Sequence, residues 1–401
     1  MKEHYLMELQ TRIDNEVENI RNEIITIRRQ IHQNPEIGLE VFNTAEVITQ
    51  ALTESEIPFR QKVGQTGVVV LIEGNESGPC ILLRADMDAL PLNETTGLAY
   101  ASRIKGKMHA CGHDLHAAAL VGVAKILWKM RDQIKGTIKL AFQPGEETLD
   151  GAAAMIEDGL LRDPVPQAAL GFHNWPSLDT GTAAFHPVFS FAGSQAFTIK
   201  LCGLSGHAAH PHSAIDTITA AASFIMQLQT VVSREIAPVK PAVISVGRIE
   251  GGTAENIIAE SVTLAGTMRA LEPAVLKKMK KTIERLLQGL ETSMRVGHQI
   301  SFSREVPPLL NDKTVLTKVL YSARSVLGNE KVIEIDEGSM GTEDFAYISS
   351  EIPSVYLRIG SKSTDNDVRM VHRPDYAPDE NFLGVAMRLM SRLAIDLAAD
   401  R

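Results

Sequence analysis

Apolar positions along the chain follow two rhythms, one helical and one strand-like. Over residues 16–33 they recur at three- and four-residue spacing (Val17, Ile20, Ile24, Ile27, Ile31), which predicts an amphipathic helix. It should stop near Asn34 and Pro35, because a proline biases the preceding residue away from helix. Short apolar runs at 67–72, 80–83 and 136–142 then read as strands, with an Ala-rich helix over 117–129 between the last two. Strands interleaved with helices predict an α/β domain with a largely parallel sheet.

A different pattern begins near Ser194. Residues 196–201 alternate like a half-exposed strand, 216–233 read as a helix, 242–249 and 261–269 as strands, and 272–296 as a long helix. This order predicts a small α+β sandwich, a four-strand sheet with helices on one face. After Pro307 and Pro308 the α/β pattern returns, with a helix over 313–326 and a strand over 354–359. The expected organisation is an α/β domain, 1–188 and 305–401, interrupted by a smaller α+β domain, 189–304.

Composition narrows the function classes. The 401 residues are 44% hydrophobic and 22% charged, ordinary for a globular chain with a sizeable core. A net charge of −9 argues against nucleic-acid or anionic-membrane partners, which need a basic face. Three cysteines, Cys80, Cys111 and Cys202, are too few and odd in number for a disulfide framework. No signal peptide is read in the charged first 29 residues, and no apolar run nears the ~18–20 residues of a membrane span. A reducing cytoplasm is the expected compartment.

The densest chemistry lies in Met108-His-Ala-Cys-Gly-His-Asp-Leu-His116. Thiolate and imidazole in one short loop suit zinc and other transition metals, and a polar loop capping the next helix through Asp114 is the plainer alternative that this reading outweighs. Gln143-Pro-Gly-Glu-Glu147 follows a strand, where α/β sheets place their chemistry. One of its carboxylates can bind metal while the other accepts a proton from activated water. His173, at the end of an apolar run, and His372, in a proline-containing loop, are ambiguous singly. Together, Cys111, His113, Glu147, His173 and His372 exceed one tetrahedral site and suggest two metals. His109, His116, His210 and His212 read as loop-shaping neighbours, and His32 as a packing or surface residue.

Motifs spread over nearly the whole chain resemble the binuclear metallopeptidase family of aminoacylases, carboxypeptidases and dipeptidases. The similarity is greatest to its branch of N-acyl amino acid, hippurate and auxin-conjugate amidohydrolases. The matching stretches are Arg28-Arg-Gln-Ile-His-Gln-Asn-Pro-Glu36, Arg84-Ala-Asp-Met-Asp-Ala-Leu-Pro91, the cluster beginning at Met108, Gln143–Glu147 and Gly171-Phe-His-Asn-Trp-Pro176. The inserted domain adds Gly206-His-Ala-Ala-His-Pro-His212, Gly251-Gly-Thr-Ala-Glu-Asn256 and Gly266-Thr-Met-Arg269. The tail adds Gly341-Thr-Glu-Asp-Phe345 and His372.

The resemblance implies a metal-dependent amidohydrolase that cleaves N-acyl amino acids. It assigns two divalent ions per subunit to Cys111, His113, Glu147, His173 and His372, with Cys111 bridging. Thiolate favours zinc, and enzymes of this branch are active with manganese, cobalt or nickel. Glu146 matches the general base and Asp88 the carboxylate that orients the site, whereas Asp86 is not counted as a ligand. The inserted domain matches a lid and dimerisation domain. There His207 and Asn256 match residues that polarise the scissile carbonyl in the partner subunit's site, and Arg269 a residue for the substrate carboxylate. The expected assembly is a homodimer. Gly145 stands where alanine is frequent, which should loosen that turn. A dipeptidase or carboxypeptidase on the same machinery is the alternative enzyme, and a non-catalytic metal-containing binding protein the alternative from another class.

Overall fold

The computed structural model describes residues 2–363 and 368–399. Two compact units emerge, one from Met1–Ser190, Leu310–Glu337 and Tyr347–Arg401, the other from Phe191–Leu309 and Gly338–Ala346. The sequence division placed all of 305–401 in the first domain. Residues 305–309 and 338–346 instead join the second unit and 189–190 the first; Ala192 N–H donates to the carbonyls of Ser339 and Gly341, and Arg269 donates to Met340 O and Thr342 Oγ1. Such long-range bonds leave no periodic trace in the sequence.

The first unit opens with α1 (Lys2–Gln33), α2 (Phe42–Glu54), β1 (Phe59–Val63), β2 (Gly67–Glu73) and β3 (Glu76–Asp86). It continues through α3 (His113–Lys129), β4 (Lys135–Gln143), α4 (Gly151–Glu157), β5 (Ala168–Asp179) and β6 (Ala183–Phe185). The second unit contributes β7 (Gly193–Cys202), α5 (Thr217–Thr230), β8 (Ala242–Gly251), β9 (Ser261–Ala270), α6 (Pro273–Met294) and β10 (Gly297–Phe302). The chain re-enters the first with α7 (Lys313–Leu327), β11 (Val332–Glu334), β12 (Ser354–Lys362) and α8 (Phe382–Ala398).

In the first unit eight strands form one sheet in the order β1-β2-β4-β3-β5-β12-β6-β11. Its centre, β4 to β12, is parallel, and antiparallel pairs lie towards the edges. Helix α1 is longer than its sequence pattern suggested, because Leu9 and Ile13 extend the buried stripe of Val17, Ile20, Ile24, Ile27 and Ile31. That stripe packs against α3 and α8. Helix α3 is buried all round from His113 to Leu127, as its run of Ala, Leu and Val requires. Parallel register sets Asp86 of β3 beside Gln143 of β4, and Arg84 beside Gly171 of β5. The carboxyl ends of β3 and β4 therefore finish together, and β5 runs on past them carrying His173, two residues beyond Gly171, at the end of the sheet where such folds hold their chemistry.

The second unit has the four-strand sheet β8-β9-β7-β10, antiparallel throughout. Alternate residues of β7 (Phe197, Ile199, Leu201) bury against α5 and α6, with Phe224, Leu228, Leu276 and Ile283 in the same core. Among the described residues no helix is long and apolar enough to cross a membrane. The three cysteines are free thiols.

Candidate metal centre

Cys111 and His113 leave the loop before α3 on either side of Gly112, whose φ of +87° is left-handed. A side chain there would meet Asn174 Nδ2 at 2.5 Å, the atom that donates to Cys111 O at 2.6 Å. Glycine is thus the residue that lets the loop close on β5. On β5, His173 Nδ1 donates to the carbonyl of Asn174 (2.7 Å), leaving Nε2 as a lone pair 3.4 Å from Cys111 Sγ. Burial, then the neighbouring His116, lower the His173 pKa to about 3, so this imidazole is neutral as a metal ligand must be.

After β4 the chain turns at Gly145 (φ +68°), where a Cβ would lie 2.7 Å from Leu39 Cδ2 and 2.9 Å from Asp150 Oδ1. Glycine does not loosen this turn, contrary to the sequence expectation; it is the residue that fits. The turn presents the backbone N–H groups of Glu146 and Glu147 to Asp88, at 3.0 Å to Oδ1 and 3.1 Å to Oδ2. Asp88 Oδ1 also faces His113 Nδ1 at 3.3 Å, so one buried carboxylate orients three candidate residues. His113 Nε2 then points at Asp86, Glu147 and Glu146, 3.8–3.9 Å away. Burial opposes a charge on His113, yet Asp86, Asp88 and Glu147 prevail and push its pKa up to about 10. His372 completes the group from a loop pinned by its own N–H to Ala110 O (2.8 Å). Its backbone is left-handed (φ +64°), unusual for a non-glycine residue, and its Nε2 lies 3.4 Å from Glu147 Oε1.

Among the described residues candidate ligand atoms form five groups within 4.8 Å: three are Asp86, His113 and His116; His113, Glu146 and Glu147; and Glu146, Glu343 and Asp344, and the other two are Cys111, His113 and His173, and Cys111, Glu147 and His372. These last two share the Cys111 sulfur. The profile of peptidase family M20/M25/M40 matches residues 82–396. The chain belongs to peptidase family M20/M25/M40. It is 38% identical to an N-acetyl-L-cysteine deacetylase of Bacillus subtilis (strain 168), covering 90% of this chain and 85% of that one. It is 35% identical to the IAA-amino acid hydrolase ILR1-like 2 of Arabidopsis thaliana, covering 94% and 86%. The crystal structure of the Bacillus subtilis YXEP protein, described as a dinuclear metal binding peptidase of the M20 family, superposes with a TM-score of 0.83 at 31% identity over 95% and 99% of the two chains.

As an M20 member the protein is a hydrolase, and its donor set fits divalent cations. His113 Nε2 and Glu147 Oε1 are buried without a hydrogen-bond partner among the described residues. Each such atom costs about 1–3 kcal/mol if left so, and a cation satisfies both. Burial, followed by Glu147, Glu146 and Asp86, raises the Cys111 thiol well above its usual range. A cation at this position supplies the positive charge that a thiolate here requires.

Further buried groups surround the candidate ligands. His116 Nδ1 donates to Asp86 Oδ1 (2.6 Å), and its Nε2 accepts from Asn174 N–H (2.9 Å). Asn174 Oδ1 accepts in turn from Tyr376 Oη and Ser361 Oγ. His32 is buried between Asp114 and Glu94, not a surface or simple packing residue. The sequence signal for it is the motif from Arg28 to Glu36.

The remaining predicted residues lie in the second unit. His207 and Asn256 are brought together there: Gly206–His207 pairs antiparallel with Ile257–Ile258, and Ala208 N–H donates to Asn256 O at 3.0 Å. His207 is exposed, and its Nδ1 accepts from Ala209 N–H (3.1 Å). Arg269, half-buried on β9, donates through Nη1 to Met340 O (3.1 Å) and Thr342 Oγ1 (2.9 Å). It is not adjacent to His207 in the strand pairing, facing Val243 and Ser194 instead.

Proposed function

We propose that the protein is a metal-dependent amidohydrolase that splits N-acyl amino acids, of the acetyl, benzoyl or aryl-acetyl type, into a carboxylate and a free amino acid. The observation that carries this reading is the pair of ligand groups sharing Cys111 with a further carboxylate, Glu146, beside them. A purely structural metal site has no use for such a base. The names of the deacetylase and amino acid hydrolase relatives support the substrate class.

In this reading Cys111, His113, Glu147, His173 and His372 hold two divalent ions, zinc or manganese, with cobalt or nickel as functional substitutes. When bound, such ions supply Lewis acidity, acidifying water and polarising the amide carbonyl. Glu146 accepts the proton of the attacking water and returns it to the departing amine nitrogen, so one carboxylate acts as base and then as acid. Asp88 holds the Glu146 and Glu147 backbone and the His113 ring in register for this exchange.

The second unit acts as lid and dimerisation domain of a homodimer. Its strand β8 is a sheet edge ten residues long that exposes Val243 and Ile249, a surface suited to a second copy. His207 and Asn256 serve the partner subunit's site, where a donor ~3 Å from the developing oxyanion contributes several kcal/mol. Arg269, one nitrogen already fixed by Thr342, receives the substrate carboxylate on its free edge.

The test is hydrolysis by purified protein reconstituted with each ion, across acetyl, benzoyl and indoleacetyl amino acids and unmodified dipeptides, with cation content measured alongside. Turnover of the N-acyl compounds with two ions per chain is expected. Turnover of dipeptides alone would move the protein to the peptidase alternative, and full activity with at most one ion would remove the shared-sulfur arrangement.

A further inference from the structure

The motif from Arg28 to Glu36 contributes nothing to the ligand set, yet two of its side chains, Arg28 and His32, are among the most buried polar groups of the molecule. Arg28 Nε lies 2.6 Å from Asp114 Oδ2, with both side chains fully inaccessible. His32 Nδ1 lies 2.8 Å from the same oxygen, and His32 Nε2 lies 3.3 Å from Glu94 Oε1. With a carboxylate at each ring nitrogen, His32 donates from both. Arg28 and Arg29 also converge on Glu380, at 3.2 Å and 2.6 Å, and their guanidinium groups stack on the Tyr100 ring, each 4.7 Å from its centroid.

What these contacts hold is informative. Asp114 adjoins His113. Glu380 ends the segment that carries His372, and Thr95, next to Glu94, donates its N–H to Pro374 O at 2.8 Å. Ala89, next to Asp88, donates its N–H to Glu36 O at 2.7 Å. One end of α1 thus grips three separate segments: that of Asp114, adjacent to His113; that of Glu94, six residues beyond Asp88 and bonded through Thr95 to Pro374, two residues from His372; and that of Glu380, eight residues beyond His372. Apolar contacts would pack α1 against α3 equally well, since buried ion pairs are weak sources of stability. Ion pairs and directed hydrogen bonds add a fixed direction and distance.

We infer that Arg28 and His32 are positioning residues that set the spacing of the metal-binding segments by clamping Asp114, Glu94 and Glu380. This rests on the ligand assignment made above. The test is cation affinity, measured by competition with a chelator, together with the visible absorption spectrum of the cobalt-loaded protein. His32→Ala and Arg28→Met are expected to weaken affinity about 10–100-fold and to shift the cobalt bands. His32→Asn, whose amide places a donor near the position of Nδ1, should recover most of the loss. The pair Arg392–Asp396, equally buried on α8 (2.8 Å), is the control, because ten residues separate it from Phe382, whose ring packs on His116. Arg392→Met should lower stability while leaving affinity and spectrum unchanged.

Wild-type affinity and bands in folded His32→Ala and Arg28→Met would overturn the inference, as would an equal loss in Arg392→Met. If the first two variants do not fold, Arg28→Lys decides, since it keeps the charge but loses the planar fork; unchanged affinity there also overturns it. A wild-type protein that binds no divalent ion would instead refute the ligand assignment itself.

Discussion

Replacing Gly112 with alanine tests whether the loop between Cys111 and His113 is held as the geometry indicates. At φ +87° an L-residue costs about 1–2 kcal/mol from its own backbone sterics. The added Cβ would also sit 2.5 Å from Asn174 Nδ2, well inside contact distance, and must displace that amide from Cys111 O. A buried carbonyl left without its donor costs about 1–3 kcal/mol more. The sum is a loss of about 2–5 kcal/mol in unfolding free energy, read from denaturant melts of the chelated protein. A weaker affinity for divalent ions should accompany it, because Cys111 and His113 move with the loop.

Gly106 separates the two contributions. Its φ is +81°, but a Cβ there meets nothing within 4 Å. Gly106→Ala should therefore cost only the backbone share and leave cation binding intact. If Gly112→Ala proves no more destabilising than Gly106→Ala, and binds cations as the wild type does, the close approach of this loop to Asn174 plays no part in forming the site.

Glu146→Gln should lower turnover by about 10²–10⁴-fold with cation content unchanged, since the amide cannot accept a proton; near-normal rates would exclude Glu146 as the base. Gly145→Ala should destabilise the protein, because Leu39 and Asp150 occupy the space a methyl needs; melts showing equal or greater stability would refute this. Mixing inactive Glu146→Gln and His207→Ala proteins under subunit exchange should restore about a quarter of wild-type activity, from hybrids in which one site of two is intact; an exchanged mixture that stays dead would place the whole site within one chain. Stability should also depend on pH through His32, which faces Asp114, Glu94, Arg28, Tyr100 and His109. Burial opposes its charge, but Asp114 and Glu94 prevail and raise its pKa above 6.5. Its contribution is thus full below about 6.5 and is lost as pH rises through the folded-state pKa. The advantage of wild type over His32→Asn should shrink across that range, and a constant difference in melts would exclude a charged His32.

Local patterning made most of the architecture legible before any coordinates. The apolar rhythm located α1, α3, α5, α6 and α7 and strands β2, β3, β4, β7, β8, β9 and β12, because burial on one face imposes a period that a short window reveals. The candidate ligands were legible for another reason: they fall in compact motifs at strand ends, so residue type and neighbourhood coincide. Where the decisive partner lies far along the chain, that advantage disappears. His32 was read as a surface or packing residue because Glu94 and Asp114, which bury its charge, are 62 and 82 residues away. Residues 338–346 join the second unit for the same reason, being held by Ala192 and Arg269 far from them in sequence.

Gly145 shows a subtler limit. A glycine in place of alanine reads as lost constraint when only the chain's freedom is considered. Folded, the turn sits at φ +68° against Leu39 and Asp150, and the missing methyl is what allows the N–H groups of Glu146 and Glu147 to reach the two oxygens of Asp88. Gly112 makes the same bargain with Asn174 on the other side of the centre. Both halves of the candidate site are therefore positioned by left-handed glycines pressed against neighbouring segments, and their positions follow from space that only the assembled unit defines.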